Sequence, residues 1–167
     1  MDLILVRHAI AFERDAIQWP DDSERPLTPE GAKRFRRAAR GLRKVIPRVD
    51  VVLSSPFARA WQTAGILTEE AGWPAPRRCR ALEVDATFER VEEALRPHAR
   101  VKRVALVGHE PSLSILTAAW LSGENAASLF EFKKGGVAWL HFAEAPISGL
   151  GALVTLLPPR VLRELAG

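Results

Sequence analysis

Cysteine is nearly missing from this sequence: Cys79 stands alone among 167 residues. A lone thiol cannot close an internal disulfide, so the fold must rest on its own core, which suits a reducing compartment. Long hydrophobic runs are missing too, and the longest fall far short of the roughly 20 residues of a membrane helix. The first apolar stretch is only Leu3 to Val6, cut off by Arg7 and His8. With no basic lead and long apolar segment, a secretory signal is not expected, and a soluble cytoplasmic protein without membrane contact is. There is no internal repeat, low-complexity tract or linker. At roughly 100 to 200 residues per domain, residues 1–167 are expected to form one domain. A chain of this size buries roughly 70% of its unfolded surface, enough for a real core.

What is present is a modest excess of positive charge, +4, on a chain that is 47% hydrophobic and 26% charged. Seven basic residues fall between Lys33 and Lys44, interleaved with Phe35, Ala39 and Leu42 at helical spacing. That pattern is an amphipathic helix with a basic outer face. A solvated face is the simplest reading, with contact to an acidic protein as the alternative. No aromatic-rich basic groove accompanies it, so no nucleic-acid partner is expected.

Three short apolar runs, Leu3 to Val6, Val51 to Leu53 and Val104 to Val107, are separated by helical patterns. Such runs predict buried parallel strands of an α/β sheet. A weaker strand is predicted from Arg78 to Val84. After residue 135 the pattern alternates through Val137, Trp139 and His141. A turn-rich stretch from Pro146 to Gly151 then leads to Ala152 to Leu157, which predicts an antiparallel hairpin closing the sheet. The expected architecture is a three-layer αβα single domain, mainly parallel, with an antiparallel C-terminal hairpin. Helix starts are predicted at Thr28-Pro29, Ser55-Pro56 and Glu110-Pro111, because proline at the first turn sacrifices no hydrogen bond. The third helix has an apolar stripe of Leu113, Leu116 and Trp120 and a terminating Gly123.

In an open parallel sheet, ligands bind beyond the carboxyl ends of the strands. Three runs end in chemistry there: the first in Arg7 and His8, the third in Gly108 and His109, and the second in Ser54 and Ser55, with Arg59 one turn beyond. Two arginines repel a divalent cation, and no metal-ligand spacing is present, so neither metal nor cofactor is expected. The same arginines suit an oxyanion, because a planar guanidinium fork matches phosphate oxygens. Neighbouring cations disfavour imidazolium and keep a ring neutral and nucleophilic. A neutral imidazole can attack phosphorus in line, forming a covalent phosphohistidine that water then hydrolyses.

The strings LVRHA (5–9), RPLTPEG (25–31), SSPFARAWQTA (54–64) and VGHEPSL (107–113) resemble, in order, the histidine phosphatase superfamily, also called phosphoglycerate-mutase-like. The short chain and the RPLTPEG segment are most similar to the SixA-like phosphohistidine phosphatase branch. The resemblance implies His8 as nucleophile, Arg7 and Arg59 as phosphate ligands, and His109 completing the pocket. Ala9 stands where the family has a glycine, which bears on loop geometry.

Ester-cleaving members of this superfamily use an acid just after the third strand, where Glu83 or Asp85 falls here. An alkoxide leaving group needs that proton, whereas imidazole is a much better leaving group. Residues 9–27 and 83–101 leave little room for a lid, so an open pocket is expected, suited to phosphate on a protein surface. The substrate expected is therefore a phosphohistidine-bearing protein. A small phosphate ester is the alternative, and a catalytically silent phosphoprotein-binding module is the alternative of another class.

Other conspicuous residues have plainer expectations. His98 reads as a helix-end residue and His141 as part of a strand face. Trp61 reads as packing away from Arg59, and Trp19 as loop packing with a possible contact role at the pocket rim. Cys79 lies beside arginines that could lower its pKa, but an inert packed thiol is expected. Ser54 and Ser55 are not read as nucleophiles, because no base is visible beside them.

Overall fold

The computed structural model describes residues 1–123 and 130–167. Among the described residues, six strands and five α-helices follow one another as β1 (Asp2–Arg7), α1 (Pro29–Val45), β2 (Val51–Ser54), α2 (Ala58–Ile66), β3 (Arg77–Arg78), α3 (Phe88–Leu95), β4 (Arg103–Gly108), α4 (Ser112–Ser122), β5 (Val137–His141), β6 (Ala152–Leu157) and α5 (Pro159–Leu165). They form one sheet in the order β3-β2-β4-β1-β5-β6. The first four strands in that order run parallel. The hairpin of β5 and β6 adds two antiparallel pairings, with β5 lying against β1.

Successive residues of a strand face opposite sides, and β1 feeds two cores in that way. Ile4 and Val6 join Phe35 and Leu42 of α1, Ala60 and Ala64 of α2, and Leu162 of α5. Leu3 and Leu5 join Val91 and Leu95 of α3 and Leu113, Leu116 and Trp120 of α4. All four β1 side chains are fully buried, each contributing roughly 1.5 to 3 kcal/mol of hydrophobic stabilisation. Helices therefore cover both faces of the sheet, giving the three-layer arrangement that the alternation of strand and helix signals predicts.

Local signals explain where the helices begin and end. Thr28 caps α1, its Oγ1 accepting from the Gly31 amide at 2.9 Å, with Pro29 in the first turn. A Cβ on Gly31 would sit 2.1 Å from the Ile10 carbonyl oxygen, so this glycine lets α1 start hard against the segment following β1. Gly123 ends α4 at φ +76°, a conformation that glycine adopts without steric cost.

Three predicted elements differ in detail. The strand expected from Arg78 to Val84 shrinks to Arg77–Arg78, pairing only with Leu53 and Ser54 of β2. It gives way to a 3-10 turn at Arg80–Leu82 that turns Leu82 into the core. The helix expected at Ser55-Pro56 starts two residues later, at Ala58, with no side-chain cap. The helix expected at Glu110-Pro111 starts at Ser112. Ser55 Oγ still accepts from the Phe57 amide, whereas the Glu110 carboxylate is engaged by Ser114 and Phe132.

Candidate active site

Parallel pairing brings the chemistry of three strands together. Arg7 at the end of β1 is in register with Gly108 at the end of β4, and Ser54 of β2 with Val107. The next residues continue the ladder: the His8 amide donates to the Gly108 carbonyl and the Ser55 amide to the Val107 carbonyl, both at 3.0 Å. His8, His109 and Ser55 thus leave one sheet edge side by side. The His8 and His109 rings lie with centroids 5.2 Å apart.

The tautomer of His8 follows from its partner. Nδ1 lies 2.7 Å from the Ala9 carbonyl oxygen, which can only accept, so Nδ1 carries the proton and Nε2 keeps its lone pair. The ring is 7% exposed. Burial drives its pKa down to about 3; the Ala9 carbonyl works against that shift, and Arg59, Arg7 and Arg25 reinforce it. Ala9 itself donates its amide to Thr63 Oγ1 at 3.0 Å. No residue other than glycine has a positive φ among the described residues, so alanine fits this position without strain.

His109 is held from the opposite side. Its Nε2 is 2.9 Å from Ser55 Oγ, and that oxygen already accepts from the Phe57 amide at 3.3 Å. Where the Ser55 hydroxyl gives its hydrogen to Nε2, the proton of His109 sits on Nδ1. Nδ1 is buried without a hydrogen-bond partner. Burial first, then His8 and Arg59, lower the His109 pKa to about 2. The Phe57 ring packs edge-on to His109 at 5.3 Å and under the Arg59 guanidinium at 5.1 Å. A base thus does lie beside Ser55, contrary to the sequence reading, but the hydroxyl is fully buried and serves to orient the imidazole.

The two arginines are anchored by different means. Arg7 Nη1 donates to the Phe132 carbonyl, and the Phe132 amide donates to Glu110 Oε1 at 3.1 Å, which also accepts from Ser114 Oγ at 2.9 Å. Glu110 thus braces the segment that holds Arg7. Arg59, 2% exposed, donates from Nη1 to the Asp22 carbonyl at 2.8 Å and from Nη2 to the Asp22 carboxylate at 3.0 Å. Nε of both arginines is buried without a partner. With His109 in its Nδ1–H tautomer, these make three orphaned N–H donors, a set suited to a tetrahedral oxyanion. No group of three His, Cys, Asp or Glu side chains able to hold a metal occurs among the described residues.

Two residues escaped the sequence reading as site members. Arg25 donates to Asp22 Oδ1 at 2.8 Å and to the Phe12 carbonyl at 2.6 Å, and its charge is felt by both histidines. Asp22 collects Arg14, Arg25 and Arg59. Desolvation opposes its ionisation, but the Arg25 hydrogen bond and the Arg59 charge prevail and hold its pKa at about 2. The RPLTPEG string contained Arg25, yet nothing local tells that its side chain folds back over the sheet edge. The 3-10 turn Asp22–Glu24 thereby lies against Arg59.

Glu83 and Asp85 lie on the segment that meets the start of α4, where Ser112 Oγ donates to the Val84 carbonyl at 3.1 Å. With Arg80 and Arg90 they line a hollow of about 520 Å³ that none of Arg7, His8, Arg59 and His109 lines. Asp85 is 72% exposed and faces Arg90 at 3.7 Å. The remaining candidates have structural surroundings. His98 sits in a 3-10 turn after α3, and His141 meets Asp2 at 2.9 Å. Trp61 lies under Arg78, and Trp19 packs on Phe12. Burial pushes the Cys79 thiol up rather than down.

The profile of the histidine phosphatase superfamily (branch 1) matches residues 3–87, and the chain belongs to that superfamily. An uncharacterised protein of Mycobacterium tuberculosis is 35% identical over 93% of this chain and 100% of its own length. Among solved structures, the protein histidine phosphatase SixA complexed with tungstate superposes with a TM-score of 0.83 at 26% identity, covering 97% of this chain and 99% of that one. A mycobacterial glucosyl-3-phosphoglycerate phosphatase shares the fold, with a TM-score of 0.71 at 16% identity over 94% of this chain and 98% of the other.

Proposed function

We propose that the protein removes phosphate from phosphohistidine side chains of other proteins, through a phosphoryl group carried transiently on His8. The observation that carries this reading is the His8 ring itself: neutral, its Nδ1 proton committed to Ala9, its Nε2 lone pair beside Arg7, Arg59 and His109. Nε2 attacks phosphorus in line as the substrate's ring, protonated on its other nitrogen, takes the bonding pair and departs as neutral imidazole. Arg7, Arg59 and the Nδ1–H of His109 take the growing charge on the equatorial oxygens. Water then attacks the phosphorus of the intermediate, returning His8 and releasing inorganic phosphate.

The choice of leaving group rests on the acids. The carboxylate hydrogen-bonded to Arg59 is that of Asp22, and with a pKa of about 2 it has no proton to give near neutral pH. An alkoxide leaving group would need a donor; an imidazole that already carries a proton on its far nitrogen does not. The SixA relative forms a complex with tungstate, a tetrahedral oxyanion, which accords with a phosphoryl substrate of either kind. The ester reading draws on the shared fold with a small-molecule phosphatase and assigns the donor to Glu83. Turnover of a phosphohistidine protein and of an aryl phosphate should be compared in the wild type and in Glu83→Gln. The proposal expects the phosphohistidine protein to be preferred and both rates to survive the substitution. An enzyme active on the ester, silenced by Glu83→Gln and inert toward phosphohistidine, would refute it. A protein that binds phosphoprotein but releases no phosphate would point to the silent binding module.

A further inference from the structure

A second feature adjoins the site. Arg7 forms one wall of a hollow of about 460 Å³ whose rim is built from Arg34 of α1, Lys133 and Lys134, and Arg160 and Arg163 of α5. Ile10, Pro158 and Pro159 are its apolar lining, and no acidic residue lines it. Lys133 and Arg160 have carboxylate partners in Glu131 and Glu164. Arg34, Lys134 and Arg163 have no acidic partner among the described residues, whereas Arg36 and Arg40 of the same helix α1 are engaged by Glu69 and Glu70.

This hollow is tied rigidly to the chemistry. The Gly135 amide donates to the backbone carbonyls of both Arg7 and His8, at 3.2 and 3.0 Å, and Phe132 accepts from the Arg7 side chain. The turn that presents Lys133 and Lys134 is therefore fastened to the residues flanking the reacting atom. The cations come from three separate parts of the chain and share the hollow with apolar side chains. They match a broad surface carrying several carboxylates around an apolar centre.

We propose that this hollow docks the acidic face of the folded protein domain that presents the phosphohistidine. The inference rests on the functional reading above and extends it: one partner surface is gripped at Arg34, Lys134 and Arg163 while its phosphorylated side chain reaches His8. Such surface charges act mainly through encounter and orientation, with effects of about 10- to 100-fold that salt suppresses.

The test uses the full chain and the triple variant Arg34→Glu, Lys134→Glu, Arg163→Glu. The probe is an unphosphorylated histidine-containing phosphotransfer domain of negative net charge, titrated calorimetrically at low salt and near 1 M, where the Debye length is about 3 Å. Turnover of phosphoramidate, a small phosphoryl donor, reports separately on the integrity of the site. The expected result is binding to the wild type at low salt, weakened about 10- to 100-fold in the triple variant and by high salt, with phosphoramidate turnover unchanged. Equal affinity of wild type and variant, or no binding to the wild type, would overturn the docking surface and leave the hydrolytic reading intact. Charge-dependent binding without turnover of any phosphohistidine would leave the docking surface and overturn the hydrolytic reading. Loss of single-stranded oligonucleotide binding, with affinity for the acidic domain unchanged, would also overturn the inference.

Discussion

Asp22 holds Arg59 at two points, its carbonyl oxygen accepting from Nη1 at 2.8 Å and its carboxylate from Nη2 at 3.0 Å. The guanidinium is almost fully buried and the carboxylate is partly exposed, so the aspartate is the counter-ion that makes an interior cation tolerable. Asp22→Asn keeps the carbonyl bond and removes the charge. It is expected to lower stability by about 1 to 3 kcal/mol in urea unfolding. Inorganic phosphate should restore more stability to the variant than to the wild type, because it supplies the missing negative charge. An unchanged unfolding midpoint would show that Arg59 does not depend on Asp22.

Acid should destabilise the fold in two windows. His8 and His109 have folded pKa values of about 3 and 2 against an ordinary 6.5. Between these limits the unfolded chain binds protons that the folded chain refuses, so their stabilising contribution is complete above pH 6.5 and declines as pH falls below it. At pH 5 the loss is about 2 kcal/mol for each ring. Asp22, at about 2 against 3.8, contributes in full above 3.8 and loses its contribution as pH falls through 2. Thermal melts from pH 7.5 to 4.5 should show a falling midpoint, and a shallower fall in His109→Asn. A flat profile would mean that the rings protonate freely in the folded state.

Arg25 is expected to matter beyond its hydrogen bond to Asp22, because its charge reaches both imidazoles. Arg25→Gln should raise the inhibition constant for tungstate about 10-fold, as expected from losing one charge-assisted interaction of roughly 1.5 kcal/mol. The size of the change separates a phosphate-binding role from a purely structural one, which would lower stability and leave the constant unmoved.

Ala9 is expected to behave as an ordinary buried alanine. Its amide is bonded to Thr63 and its φ is not positive, so Ala9→Gly gains nothing and adds freedom to the unfolded chain. A loss of about 0.5 to 1 kcal/mol with unaltered activity is predicted. A substantial rise in kcat would show instead that the alanine constrains the loop.

The apolar runs at Leu3, Val51 and Val104 revealed the central strands because each is buried on both faces, and the residues just past them revealed Arg7, His8 and His109. Arg59 was legible for the same reason, one turn into the helix that follows β2. The roles of Asp22 and Arg25 were not, because a carboxylate in a polar loop reads as solvent-facing until the chain has folded back onto α2. Ser55 was misread in a related way: its base, His109, lies 54 residues away and meets it only through the pairing of β2 with β4. The strand after Arg78 failed because two residues at a sheet edge suffice to pair with β2, and the apolar Leu82 that prompted the longer reading points into the core from a turn.

The most direct test of the account is to mix the protein with a phosphohistidine protein, quench in alkali within one turnover, and map phosphate on the chain by mass spectrometry. The account predicts an acid-labile, alkali-stable phosphoryl group on the peptide containing His8, absent from a silent His8→Ala variant. Phosphate release by that variant, or full turnover in the wild type with no adduct on His8, would contradict it.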